Sequence, residues 1–225
     1  MRLSRYGLVV LAFCLFSGVA TAGNFSFTGT FIQDDQLEVF LFTAPSSTSV
    51  TLETWSYAGG TNAAGATILP GGFDTVLTVF DCGIVCDLNS STFVDNAYGN
   101  GTASDPVTGF TGDSQLTLTD LDSSHTYVLV LSEFDNTHND STFGAGFAYS
   151  GQGNFTTDAS HCGGTTPFCE TLGVYRTGQW AVDILDVGGA TDTTAPEPGS
   201  LLLLLTGIGT VALLQRTWRT AKYSR

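Results

Sequence analysis

Along residues 24 to 190, short apolar runs alternate with stretches dense in Gly, Thr, Ser, Asn and Asp, and little in the pattern sustains the 3.6-residue period of a long helix. The runs are FSFTGTF from Phe25, LEVFLFT from Leu37, SVTLETW from Ser49, TVLTVF from Thr75, QLTLTDL from Gln115, TYVLVLSEF from Thr126, GAGFAYS from Gly144 and QWAVDIL from Gln179. Several alternate strictly. Val50 and Leu52 are interleaved with Thr51 and Glu53, and Leu116 and Leu118 with Thr117 and Thr119, the signature of strands with one buried face. VFLF and YVLVL are apolar throughout, which suits central strands covered on both sides. Eight short strands without helical connectors predict an all-β fold, an antiparallel sandwich of the jelly-roll kind. No internal repeat of about 20 to 50 residues points to a solenoid or propeller.

The two ends break this pattern. Residues 1–22 carry Arg2 and Arg5, the apolar run LVVLAFCLF and then Ala20-Thr21-Ala22, which predicts a signal peptide cut before Gly23 by signal peptidase. The sandwich is expected over 23–187, a Gly/Thr/Pro-rich flexible linker over 188–198, and a hydrophobic helix with a basic tail over 199–225. Leu201 to Leu214 is 14 residues, about 21 Å as a helix against a hydrocarbon core of about 30 Å. Such a segment is a short membrane address, with a permanent anchor as the alternative if the bilayer thins.

Charge sharpens the division. The whole chain has net charge −14, yet residues 23–195 hold one base, Arg176, against 20 acids, giving −19. A domain so acidic repels phosphates, which argues against nucleic acid as a partner. Arg216, Arg219, Lys222 and Arg225 would hold the tail end on the cytoplasmic side.

Pro196-Glu197-Pro198, the apolar helix and the terminal cluster with Arg216 and Arg219 together resemble the PEP-CTERM sorting signal of bacteria that make extracellular polysaccharide. The resemblance implies an inner-membrane precursor handled by an exosortase, then a protein at the cell surface or outside the cell. Within the preceding domain, FTGTFIQDDQLEVFLFT, LTLTDLDSSHTYVLVLSEFDN and RTGQWAVDIL resemble a DVUA-type domain, itself similar to pre-peptidase C-terminal sandwiches. That likeness implies a surface β-sandwich and no particular activity. It also implies acidic loops able to hold calcium, here at Asp34, Asp35, Asp81, Asp95 and Asp135. Calcium takes six to eight oxygens, with carboxylates converging from loops. The segments QDDQ, VDNAYGNG and EFDNTHND offer such oxygens without EF-hand spacing, and a solvated acidic face is the simpler account of most of them.

Cys82, Cys86, Cys162 and Cys169 remain after export, an even number that predicts disulfides. Local pairing of 82 with 86 and of 162 with 169 closes the shortest loops. Catalytic signatures are lacking. Residues 23–195 contain no Lys, GDSQL at Gly112 lacks the last glycine of a nucleophile elbow, and His125, His138 and His161 sit at a strand start and in loops. Glu38, Glu53 and Glu133 are the carboxylates from which a glycosidase pair could be drawn. Trp55, Tyr57, Tyr98, Tyr149, Tyr175 and Trp180 are candidates to stack on a sugar, Trp55 and Tyr57 at a strand exit, although rings more often fill a core. The expectation is an exported, non-catalytic surface or matrix protein, contacting polysaccharide or calcium. A secreted carbohydrate-active hydrolase is the alternative.

Overall fold

The computed structural model describes residues 22–45, 49–157, 162, 167–170 and 173–193. The chain divides into two units, Met1–Asp192 and Thr193–Arg225, and the description concerns the first. Residues 1–21, expected to belong to a signal peptide, and residues 194–225, expected to hold the sorting tail, lie outside the described residues. Among the described residues, no helix is long and apolar enough to cross a membrane.

The first unit is an antiparallel β-sandwich. One sheet has the order β1-β10-β3-β8, formed by Gly23–Thr30, Gln179–Val187, Val50–Thr54 and Gln115–Leu118. The facing sheet has the order β11-β2-β9-β6-β7, formed by Gly189–Asp192, Glu38–Thr43, Thr126–Glu133, Thr75–Gly83 and Thr92–Tyr98. A small hairpin, β4 (Gly60–Thr61) with β5 (Thr67–Ile68), branches off between β3 and β6.

Alternation sets which side chains meet between the sheets. Val50 and Leu52 of β3, Leu116 and Leu118 of β8, and Val182 and Ile184 of β10 face Phe40 and Phe42 of β2, Leu129 and Leu131 of β9, and Leu77 and Val79 of β6 in one buried cluster. Removing their apolar surface from water drives the packing, at roughly 25 cal/mol per Å². Trp180 enters this core because Gly29 on the paired strand has no side chain. A Cβ there would lie 2.3 Å from the indole.

β9 is apolar from Tyr127 to Leu131 for a reason visible in the second cluster. Its alternate residues Val128 and Val130 turn away from the sandwich core and pack with Phe80, Cys82 and Phe147 beneath the loops that cover the outer face of the larger sheet. The same holds for Val39 and Leu41 of β2. GAGFAYS, expected as a strand, belongs to this cover. A 3-10 turn at Phe143–Ala145 overlaps its start, and Phe147 makes one isolated bridge to His138 while its ring plugs the cluster. Gly146, at φ 76°, turns the chain where a strand would have continued.

Besides the short β4–β5 hairpin, two strands are absent from the sequence expectation. β7 carries Asp95 and Asn96 and lies at a sheet edge, where a polar pattern is tolerated and discourages pairing with another chain. β11 extends the sheet to Asp192 through residues expected in the linker, Ala190 pairing with Phe42 and Thr191 with Leu41.

Candidate functional site

At one end of the larger sheet, where β6 begins and β7 and β9 finish, a cleft of about 460 Å³ opens. Strand register builds its floor. Thr75 pairs with Glu133 and Val76 with both Ser132 and Tyr98, so Asp74, Glu133 and Tyr98 reach the same rim from three strands. Phe134 and Asp135 follow in the turn after β9, while Phe110 and Glu170 arrive on long connections. Tyr98, Phe110 and Phe134 are 49%, 52% and 41% exposed, unusual for large apolar rings. Tyr98 meets Phe134 edge-on at 6.1 Å, and Phe110 leans on Tyr57 at 6.4 Å.

Each wall is held by a polar device. The Asp113 carboxylate accepts the backbone N–H groups of Ser56 (2.5 Å), Tyr57 (3.1 Å) and Ala58 (2.8 Å) and the hydroxyl of Thr54 (3.0 Å), fixing the turn after β3 that carries Tyr57. Gly112 permits this approach, since a Cβ there would fall 2.4 Å from the Tyr57 ring. The Arg176 guanidinium lies over the Tyr57 ring, 3.7 Å from its centroid, and pairs with buried Asp105. Burial opposes ionisation of Asp105, but the Arg176 bond and the N–H groups of Thr108 and Val107 hold its carboxyl below the usual range. On the opposite wall Glu170 accepts the Asp74 N–H at 3.0 Å, and the Cys162–Cys169 disulfide ties the adjoining segment.

The cleft is electrostatically one-sided. Asp74, Glu133, Asp135 and Glu170 line it, and among the described residues no Lys or Arg does. Burial pushes Asp74 up to about 8, with Glu170, Asp113 and Asp135 adding to the rise and Arg176 opposing it. Glu133 is raised well above the ordinary value, first by burial and then by its acidic neighbours, against the N–H of Asp135 that its carboxylate accepts at 2.9 Å. Asp74 is a protonated acid near neutral pH, and burial favours the neutral form of Glu133.

The five aspartates suggested for calcium do not come together. Asp34 is fully buried and accepts the N–H of Phe155 and both the N–H and hydroxyl of Thr156, tying the 155 turn to the chain after β1. Asp35 offers its backbone carbonyl to Asn136. Asp81 pairs with His125 at 2.9 Å, and Asp95 is exposed on β7. Asp135 alone of the five lines the cleft. Among the described residues, no three His, Cys, Asp or Glu side chains converge so as to hold a metal ion.

Of the glycosidase candidates, Glu133 is in the cleft, whereas Glu53 pairs with Gln115 on β8. Among the aromatic candidates, Tyr57 and Tyr98 line the cleft. Trp180 is core, Tyr149 stacks on Phe155 at 4.0 Å, and Trp55 donates its indole N–H to buried Asp183. Ser114 is buried and donates its hydroxyl to the Thr75 carbonyl. His138 stacks on Phe93 at 4.5 Å; His161 lies outside the described residues. Both disulfides, Cys82–Cys86 and Cys162–Cys169, are formed. Pro196, Glu197, Pro198, Arg216 and Arg219 lie outside the described residues. Asp74, Phe110, Phe134 and Glu170 carry no local sequence signal, because the cleft is assembled from segments far apart in the chain.

Comparison with protein-family models and with curated proteins finds no match. Four chains of solved structure match. One, from Sulfurospirillum deleyianum, has a TM-score of 0.32 at 9% identity, over 73% of this chain and 97% of its own, a likeness that carries no argument.

Proposed function

We propose that this is an exported, non-catalytic surface or matrix protein whose end cleft contacts polysaccharide. The observation that carries the reading is the set of three half-exposed rings, Tyr98, Phe110 and Phe134, around a carboxyl-lined hollow. Sugars present a C–H face that stacks on such rings and hydroxyl groups that carboxyls bind, the mixed apolar and polar lining usual in ligand sites. Export is supported by the N-terminal segment, the PEP-CTERM-like tail and the two disulfides, which persist in oxidising compartments. Signal peptidase and an exosortase are the processing partners this reading requires. Mass spectrometry of the secreted protein would then find Gly23 at the start and the apolar helix removed; an intact chain retained in the cytosol overturns the export reading.

The binding reading is tested with neutral and charged polysaccharides on the purified chain. Retention that falls at least tenfold in a Tyr98→Ala, Phe134→Ala double variant supports it, and absence of retention overturns it. One observation favours a hydrolase as the second reading: Asp74, which lines the cleft with Glu133, is protonated near neutral pH, as a general acid must be. Release of reducing sugar, lost in Glu133→Gln, would establish that instead.

A further inference from the structure

We infer that two copies of this chain pair edge to edge along β1, antiparallel about a two-fold axis at Thr28, so that the smaller sheet runs through both molecules. This goes beyond the polysaccharide reading and does not depend on it.

The two sheets end on β1 and β8 and on β11 and β7. An open edge recruits other strands unless it is short, charged, bulged or covered. β7 carries Asp95, β11 carries Asp192, and β8 has only four residues. β1 lacks these safeguards over most of its length. Its eight residues, GNFSFTGT, include no charge and no proline, although residues 23–195 carry −19. Its one irregularity lies at the start, between Gly23 and Phe25, and Phe25 to Thr30 stay in unbroken register with β10.

Ladder geometry decides which backbone groups of β1 face outward. Phe31 donates its N–H to the Gly178 carbonyl at 2.8 Å, in the register that pairs Thr30 with Gln179. Alternate residues of an antiparallel strand bond the same neighbour, so Gly29 and Phe27 also turn their backbone groups toward β10. Ser26, Thr28 and Thr30 turn theirs the other way, and among the described residues no strand pairs with that side. The side chains carry the same sign of a missing neighbour. Phe25 and Phe27 pack on the core, Phe27 with its ring 4.9 Å from Phe40, yet both are only half-buried because the sheet stops beside them.

A second copy fits this edge through its own sequence. With Thr28 on the axis, Ser26 faces Thr30 of the other copy, and the outward backbone groups of all three residues find partners. On the inner face Phe27 meets Gly29 of the other copy, an aromatic ring opposite a glycine that leaves it room. No charges are opposed along the ladder. Elsewhere two copies of so acidic a domain repel, which leaves an uncharged edge as the place where they can approach. The contact is isologous and closes at two. None of the residues lining the end cleft belongs to β1, so the pair keeps both clefts open and can hold a repeating polymer at two points.

The test is amide hydrogen exchange, resolved to single residues, on the full chain in mild detergent from about 1 μM to about 1 mM, a span that covers weak contacts of small area. Phe27 and Gly29 should be protected throughout. Ser26, Thr28 and Thr30 should exchange freely when dilute and at least tenfold more slowly when concentrated. In Thr28→Pro, which removes only an outward N–H, Phe27 and Gly29 should stay protected while the slowing at Ser26 and Thr30 disappears. If that variant does not fold, the concentration dependence in the unaltered chain decides. Adding about 500 mM NaCl should strengthen the slowing, because salt screens the repulsion between copies. Free exchange at every concentration overturns the inference, whatever association the rest of the chain shows. Protection that is the same at all concentrations means that another segment of the same chain covers the edge, and overturns it too. So does slowing that survives Thr28→Pro or weakens in salt.

Discussion

Asp113 and Asp74 stand 39 positions apart in the chain and show opposite uses of a buried carboxyl. Asp113 spends its oxygens on three backbone N–H groups and a hydroxyl. Replacing it by Ala leaves those donors buried without an acceptor, and the expected loss is about 3 kcal/mol, read from chemical unfolding. Asp74 is paired poorly and held protonated at pH values up to about 8, against 3.8 for an ordinary aspartate. The unfolded chain gives up that proton near 3.8 and the folded chain keeps it, so folding stability is fully present below about 4 and falls as pH rises toward 8. Glu133 adds to the slope in the same direction. Thermal unfolding should show a midpoint several degrees higher at pH 5 than at pH 8, and Asp74→Asn should remove much of that difference. A midpoint independent of pH in the unaltered protein would contradict the buried, protonated state.

At the level of elements, β11 gives the sharpest test of what terminates the domain. It covers the edge of β2, pairing with Phe40 through Thr43, and without it the backbone groups of an apolar strand would face solvent. A chain ending at Gly188 should unfold earlier than one ending at Thr193 and should self-associate in sedimentation, since an uncovered edge recruits other strands. In composition GGATD resembles a tether, and its ladder depends on a partner strand about 150 residues away. Strands with strict alternation, such as Val50–Thr54 and Gln115–Leu118, were legible, as was the two-sided burial of Thr126–Glu133. GAGFAYS has the apolar content of a strand without being one, because Phe147 packs into a cluster on the far side of the sheet. The site was legible in part. Glu133, Asp135, Tyr57 and Tyr98 belong to residue types that draw notice singly, whereas Asp74 and Glu170 acquire meaning only where the register of β6, β7 and β9 brings the rim together.

Across the whole molecule, residues 23–195 carry −19 with a single base, and that base is buried and paired. Surface carboxylates therefore repel one another with almost no compensation, and this repulsion opposes the compact state. Salt screens charges in solvent over about 10 Å at 0.1 M but reaches buried groups far less. The two sources of instability at high pH can be separated on that basis. Raising NaCl from about 10 mM to 500 mM should raise the unfolding midpoint at pH 8, where the surface is fully ionised, and change it less at pH 5. The slope contributed by Asp74 and Glu133 should survive in high salt, because it arises from burial as much as from neighbouring charge. In Asp74→Asn the salt effect should persist while the residual pH slope shrinks. If high salt alone erases the pH dependence of the unaltered protein, the surface accounts for all of it and the cleft acids ionise as ordinary carboxyls do.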